Sequence, residues 1–131
     1  MSTDRYRRGR ALLARLTAQG GNPELATSAS APDLQRYAVE FVYGDIYSRT
    51  DLDLRQRQLV VIGALVTLGD VDGPLAGHLH IALNVGLTPE EISGAVLQTL
   101  PYAGFPRVIA AMAVVDQVLA DNTSQQASTN A

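Results

Sequence analysis

The sequence predicts an all-α protein that forms a single domain over residues 1–131. Apolar residues recur at helical spacing along the chain, and no stretch alternates polar and apolar residues as a strand of a hairpin would. Gly- and Pro-containing segments separate the helical stretches. A chain of this length can bury a core without covalent staples, and it contains no cysteine to form one.

Signals at the helix ends predict about six helices. Thr3 or Asp4 can cap the first helix, Gly86 ends the fourth, and Thr88 with Glu91 forms a capping box at the start of the fifth. The predicted ranges are about 4–19, 32–44, 54–68, 73–85 and 89–100, with a last helix after residue 106.

Two segments are predicted to lie outside helices in addition to the short turns. Residues 44–49 are too irregular in sequence to predict as a helix. Residues 121–131 are small and polar, which predicts a disordered tail.

The third helix is predicted to be central, because it is apolar on all sides from Leu59 onward. At 100° per residue, Arg57 shares a stripe with Val61, Ala64 and Leu68. A buried guanidinium stays charged and requires an anionic partner. Two alternatives follow, namely an internal ion pair with an Asp or Glu and a bound carboxylate ligand.

The composition excludes several kinds of chemistry. The absence of cysteine excludes thiolate nucleophiles, iron–sulfur clusters and thiolate zinc sites. All ten cationic side chains are arginine, so a Schiff-base or P-loop lysine is also excluded. A net charge of −3 and a pI near 5.2 argue against nucleic acid as a partner.

The expected setting is a soluble cytoplasmic protein with partner subunits. No apolar stretch reaches the roughly 20 residues that a membrane span requires, and no signal segment opens the chain. The mean hydropathy of +0.06 is high for a small chain, which predicts that subunit contacts cover apolar surface.

Four further side chains are candidates for chemistry. His78 falls on the apolar arc of the fourth helix, where it is either a satisfied core histidine or a proton donor. His80 lies at the edge of that arc. The two histidines point about 200° apart around the helix, so they cannot chelate one metal ion. No metal or cofactor is predicted. Tyr102 lies in a Pro/Gly-bracketed break where its hydroxyl can face a pocket, and Arg49 lies in the irregular connector beside Asp45, where a surface ion pair is the ordinary explanation.

An ordered series of motifs resembles the carboxymuconolactone decarboxylase family, within the alkylhydroperoxidase AhpD-like superfamily. The resemblance covers residues 5 to about 119. The motifs are Tyr6…Gly9, Gly44-Asp45-Ile46-Tyr47-Ser48-Arg49, Arg57-Gln58-Leu59, His78…Ala82…Asn84-Val85-Gly86-Leu87-Thr88-Pro89-Glu90-Glu91-Ile92, Gln98 and Tyr102-Ala103-Gly104-Phe105-Pro106.

The resemblance implies an all-helical subunit in a homo-oligomer, commonly a trimer or a hexamer. The peroxidase branch of the superfamily carries Cys-x-x-Cys ahead of the histidine, whereas this chain has Asp-Gly-Pro-Leu-Ala-Gly at 72–77, so peroxidase chemistry is excluded. The decarboxylase branch implies cofactor-independent loss of CO₂ from 4-carboxymuconolactone or a similar carboxylated unsaturated lactone in aromatic catabolism.

The place of Arg57 on the predicted buried stripe and the needs of this chemistry together suggest roles for five residues. Arg57 would anchor a substrate carboxylate, with Arg49 as a second anchor and His80 on the substrate-binding side. His78 would donate a proton to carbon, and Tyr102 would donate a hydrogen bond to the developing oxyanion.

Three positions depart from the family pattern. Pro74 and Gly94 stand where the family usually carries glutamate, and His80 stands where it tends to carry another basic residue. Two alternatives therefore stay open. One is isomerisation or cyclisation of another lactone or polyketide-like substrate, and the other is a non-catalytic oligomer that binds a small molecule.

Overall fold

A computed structural model describes residues 3–17 and 27–130 of the chain. Every regular element within those two ranges is helical, so the predicted all-α class is confirmed. The chain divides into two compact units, Met1–Leu54 and Arg55–Ala131, each of which has its own hydrophobic interior.

The first unit contains helix α1 (Asp4–Leu16), the short helix α2 (Leu34–Tyr37) and a π-helix (Ala38–Ile46) that continues directly from α2. The Thr3 hydroxyl accepts a hydrogen bond from the backbone N–H of Tyr6, which confirms the predicted cap of α1. The predicted end near residue 19 is wrong, because α1 ends at Leu16 and the backbone of Thr17 is extended. The buried apolar residues of the unit are Leu12, Leu13, Leu16, Val39, Tyr43 and Tyr47.

The π-helix overturns the prediction that the second helix ends at Gly44. Helical backbone continues through Ile46, across part of the segment that the sequence predicts to be irregular. Two glycines allow α1 and the π-helix to pack backbone against backbone. A Cβ on Gly9 would overlap the carbonyl oxygen of Val39, and a Cβ on Gly44 would overlap that of Arg5. The wider turn of the π-helix therefore coincides with close backbone packing against α1. Residues that are neighbours in the sequence do not reveal such a contact.

The second unit is organised around helix α7 (Phe105–Asn130). Helices α4 (Asp72–Asn84), α5 (Pro89–Gln98) and α6 (Leu100–Ala103) all pack against α7, and α3 (Leu54–Leu68) supplies Ile62 and Val66 to the same core. The bounds of α3 match the prediction, and those of α4 differ from it by one residue at each end. The prediction that α3 is the central helix is wrong, because α7 holds that place and α3 leaves Val60 and Leu68 more than 60% exposed.

Local signals account for the helix ends around α5. The Thr88 hydroxyl and the Glu91 carboxylate each accept a backbone N–H bond from the other residue, which confirms the predicted capping box. Gly86 follows α4 with a φ of 101°, and Gly104 separates α6 from α7 with a φ of 90°. A side chain at either position would strain the backbone, so both turns favour glycine.

Helix α7 extends to Asn130, where the sequence predicts a disordered tail from about residue 121. The final turns are almost entirely exposed, so they make no contribution to the core. The hydroxyls of Thr123 and Thr129 donate to the backbone oxygens of Leu119 and Gln125, which keeps these polar side chains compatible with helical backbone.

No helix in the described part of the chain combines the length and the apolar composition that crossing a membrane requires.

Candidate active site

Arg57 is buried near the start of α3, as the sequence predicts, with a residue exposure of 8%. A guanidinium cannot lose its proton in a protein, so this position carries a permanent positive charge out of bulk water. Burial of that charge favours a nearby anionic or hydrogen-bond-accepting partner.

The rest of the predicted stripe is wrong. Leu68 is 66% exposed and Ala64 is also exposed, whereas Gln58, Ile62 and Val66, spaced i, i+4, i+8, form the fully buried stripe. The prediction failed because a helix that is apolar on all sides has no periodicity to define its buried face. Packing of the second unit selects the face, one residue away from the predicted one.

The buried stripe brings Gln58 to His78. The side-chain oxygen Oε1 of Gln58 lies 3.3 Å from Nδ1 of His78, so an amide at the start of α3 meets an imidazole in the middle of α4. Sequence reasoning missed Gln58 as a site residue. A signal was present, because Gln58 is the one polar residue in the 58–62–66 register, but its neighbours Gln56 and Arg57 made it look like part of a polar helix start.

Burial controls the charge of His78. The residue is half-buried, and desolvation lowers the pKa of its imidazole below the ordinary value of 6.5. The ring is therefore mainly neutral at pH 7. His80, on the same helix, is exposed, in keeping with its predicted place at the edge of the apolar arc.

The lowered pKa of His78 predicts a pH-dependent stability. The unfolded chain takes up a proton on this imidazole near pH 6.5, before the folded chain does. The free energy of unfolding should therefore fall as the pH drops through about 6.5, and this contribution should level off below the lowered folded pKa. Urea unfolding between pH 5.5 and 7.5 measures it. His78→Gln should flatten the dependence and the exposed-site control His80→Gln should keep it, and equal slopes in all three proteins would contradict the assignment.

Arg49 belongs to the first unit, where it lines a cavity of about 540 Å³. Arg8 and Arg15 line the same cavity, together with Ser48. The Arg49 guanidinium pairs with Asp51 at 2.9 Å, and this hydrogen bond raises the pKa of Arg49. The carboxylate of Asp53 also lines the cavity, so three guanidinium groups face one carboxylate, an excess of positive charge that suits an anionic ligand. The volume lies within the usual range for small-molecule sites.

Asp45, next to this connector, has the ordinary role that the sequence predicts. Its carboxylate pairs with Arg5 at 2.6 Å and with Arg8 at 3.3 Å, and these two guanidinium groups lower the pKa of Asp45. These two ion pairs join the π-helix to α1 within the first unit.

The predicted break at Tyr102 is wrong, because Leu100–Ala103 forms helix α6 and only Gly104 separates it from α7. Tyr102 is 82% exposed in the single chain. A hydroxyl in that position meets bulk water, and an oxyanion-stabilising role requires another surface to cover it. A cavity of about 250 Å³ elsewhere in the second unit is lined by Asp70, Asp72 and Arg107 and includes none of the predicted site residues.

Within the described ranges, no three His, Asp or Glu side chains are grouped as a metal ion requires. The groups that meet at His78 are its own imidazole and the amide of Gln58, and the buried Arg57 precedes Gln58 on α3.

Comparisons with known proteins agree with the motif order. The model of the carboxymuconolactone decarboxylase family matches residues 32–117. A 4-carboxymuconolactone decarboxylase of Acinetobacter baylyi is 36% identical over 89 residues, which is 68% of this chain and 66% of that protein. A nitrosuccinic acid decarboxylase of Metarhizium robertsii is 34% identical over 88 residues, or 66% of this chain and 60% of that protein. The chain thus spans slightly less than two thirds of each of these relatives.

Proposed function

Because the chain belongs to the carboxymuconolactone decarboxylase family, we propose that it catalyses cofactor-independent loss of CO₂ from 4-carboxymuconolactone or a similar carboxylated unsaturated lactone. The observation that carries the proposal is the contact between Gln58 and His78. Arg57, which precedes Gln58 in the sequence, is buried as well. These residues combine a fixed positive charge with an imidazole that can exchange a proton.

The reaction needs an electron sink, and the substrate contains one. When the carbon–carbon bond to the carboxylate breaks, its electron pair moves through the ring double bond to the lactone carbonyl oxygen, giving a dienolate and free CO₂. One proton must then reach carbon, so the balance is one carboxylate and one proton in, and CO₂ and the protonated lactone out. No cofactor is required by this balance.

Each proposed residue has one task. Arg57 binds a substrate carboxylate through its planar guanidinium, and Arg49 is the second proposed carboxylate ligand, supported by its cationic cavity. His78 delivers the proton to carbon. Since burial lowers the pKa of His78, the resting imidazole must first take that proton from solvent. His80 is proposed to contact the substrate from the exposed side of α4.

A second copy of the chain is part of the proposal. The second unit exposes large apolar side chains that a homo-oligomer would cover, and covering Tyr102 would give its hydroxyl the shielded setting that oxyanion binding requires. The exposed residues are Val60, Leu68, Leu97, Tyr102, Phe105 and Ile109. Light scattering on the purified protein measures the mass, and a strict monomer would remove Tyr102 from the proposed site.

A nitro-dicarboxylate is the second candidate substrate, favoured by the match to nitrosuccinic acid decarboxylase. A nitro group is also an electron sink, so CO₂ loss from the carbon that bears it has the same electron balance. Both substrates carry a carboxylate that an arginine can bind. Both leave a carbanion after CO₂ departs, and that carbanion must take up a proton.

The deciding experiment offers both substrates to the purified protein and measures CO₂ release together with the product. For the true substrate we expect a kcat of about 1 s⁻¹ or more. If the product were an isomerised or cyclised lactone and no CO₂ were released, the protein would be an isomerase or cyclase and not a decarboxylase. Thermal stabilisation by the lactone with no chemical change would indicate a binding protein.

A further inference from the structure

Gln58 is an unusual residue to find in the core of the second unit. Its side chain has an exposure of 0%. It shares the buried face of α3 with Ile62 and contacts His78 on α4. Burial of an amide costs free energy unless its polar atoms are hydrogen-bonded, so a glutamine at this depth calls for a specific partner. The imidazole of His78 is such a partner.

The atoms in contact determine the direction of the hydrogen bond. Oε1 of Gln58 is a carbonyl oxygen, which can only accept, so Nδ1 of His78 must donate. A neutral imidazole has a single N–H. With the proton held on Nδ1, the other nitrogen, Nε2, carries a lone pair and no proton.

We propose that Gln58 is a positioning residue that holds His78 in the Nδ1–H tautomer and so reserves Nε2 as the nitrogen that exchanges a proton with the substrate. The inference rests on the proposed function for the role of His78 in turnover, but the tautomer itself is a property of the free protein.

The tautomer defines the order of proton movements. Nε2 first takes a proton from solvent, giving an imidazolium that the bound substrate carboxylate stabilises. After CO₂ leaves, the N–H bond at Nε2 breaks, the proton goes to the dienolate carbon, and the electron pair of that bond returns to Nε2. The proton on Nδ1 of His78 stays there and remains hydrogen-bonded to Oε1 of Gln58 throughout, so the ring keeps its orientation from one turnover to the next.

A neutral partner makes this cycle different from one built on a carboxylate. A glutamate at position 58 would stabilise the imidazolium and raise the pKa of His78, whereas the amide of Gln58 orients the ring without adding a charge. Burial of the ring lowers the pKa of His78 and so favours the neutral imidazole. The resting state is therefore a proton acceptor.

Nitrogen NMR tests the tautomer without any substrate. Long-range ¹H–¹⁵N correlation spectra distinguish the two neutral tautomers and the imidazolium. The chain has only two histidines, and His78→Gln assigns their signals. At pH 7.5 we expect His78 as the Nδ1–H tautomer, and the exposed His80 serves as an internal reference in the same spectrum. An Nε2–H ring at His78, or the same tautomer mixture at both histidines, would overturn the proposal.

Two substitutions at position 58 separate positioning from simple packing. Gln58→Met keeps the length of the side chain but cannot accept the Nδ1 proton, and should release His78 to a tautomer mixture with a kcat lowered by about tenfold. Gln58→Glu should keep the Nδ1–H bond, raise the pKa of His78 and move the pH profile of kcat upward by the same amount. Gln56→Met, at an exposed position on the same helix, is the matched control.

The result does not depend on the substrate assignment. A folded Gln58→Met protein with an unchanged His78 tautomer and pKa would contradict the proposal even if the chain is a decarboxylase. If Gln58→Met fails to fold, the wild-type spectrum alone decides. Conversely, the predicted tautomer together with no turnover on either substrate would leave Gln58 in place and overturn only the proposed function.

Discussion

Replacement of His78 by glutamine is expected to lower kcat for the decarboxylation by about 10²- to 10⁴-fold, the usual contribution of a positioned acid or base. Glutamine retains hydrogen-bonding groups but cannot gain and lose a proton near neutral pH. Because Arg57, the proposed carboxylate ligand, remains in place, KM should change far less than kcat. Steady-state kinetics with CO₂ detection measure both parameters.

Gly77→Ala is the matched control for this variant, since position 77 precedes His78 on α4 and an added Cβ there meets no atom within 4 Å. It should retain the wild-type kcat. Circular dichroism and light scattering establish that each protein keeps its fold and mass. Full turnover by folded His78→Gln and His78→Ala proteins would remove His78 from the chemistry.

Gly9→Ala is expected to destabilise the first unit by about 2 kcal/mol or more, because the new methyl group must displace the backbone of the π-helix. The Cβ would overlap the carbonyl oxygen of Val39, and a backbone atom cannot move aside as a flexible side chain can. The better helix propensity of alanine returns at most about 1 kcal/mol. Urea unfolding followed by tyrosine fluorescence suits the measurement, since four of the five tyrosines belong to this unit and the chain has no tryptophan.

Gly94→Ala provides the comparison for the glycine substitution. Position 94 lies inside α5 with no atom within 4 Å of an added Cβ, so the helix-propensity gain of about 0.5–1 kcal/mol should appear without a clash. If Gly9→Ala proved as stable as Gly94→Ala, the close approach of α1 to the π-helix would be refuted.

Local chemistry was enough to predict most of the helix ends in the second unit. Thr88 and Glu91 exchange their two hydrogen bonds within a single turn, and Gly86 relieves a positive φ that other residues adopt at a cost. Such signals depend on neighbours in the sequence. The same reasoning failed at Gly44, where the helix continues because the glycine contacts α1, about 40 residues earlier in the chain.

The candidate site was predictable in residue type more than in arrangement. Arg57 and His78 stand out because charged or titratable groups are rare on apolar faces, and both are withdrawn from full solvent exposure. Their partner Gln58 was missed, because a neutral amide is an ordinary residue near a helix start. The exposure of Tyr102 also lay beyond sequence reasoning, since the predicted break at this residue is the short helix α6, and the side that such a helix turns to solvent depends on packing.

By itself, the sequence determined the all-α class, the capping of α1 and α5, and membership of a decarboxylase family through the order of its motifs. Those properties depend on residues a few positions apart or on a linear pattern. Only the tertiary structure decided which face of α3 is buried, that a π-helix follows α2, and that Gln58 meets His78. These features depend on packing between elements distant in sequence, where several arrangements satisfy the same pattern of apolar residues and close packing selects one of them.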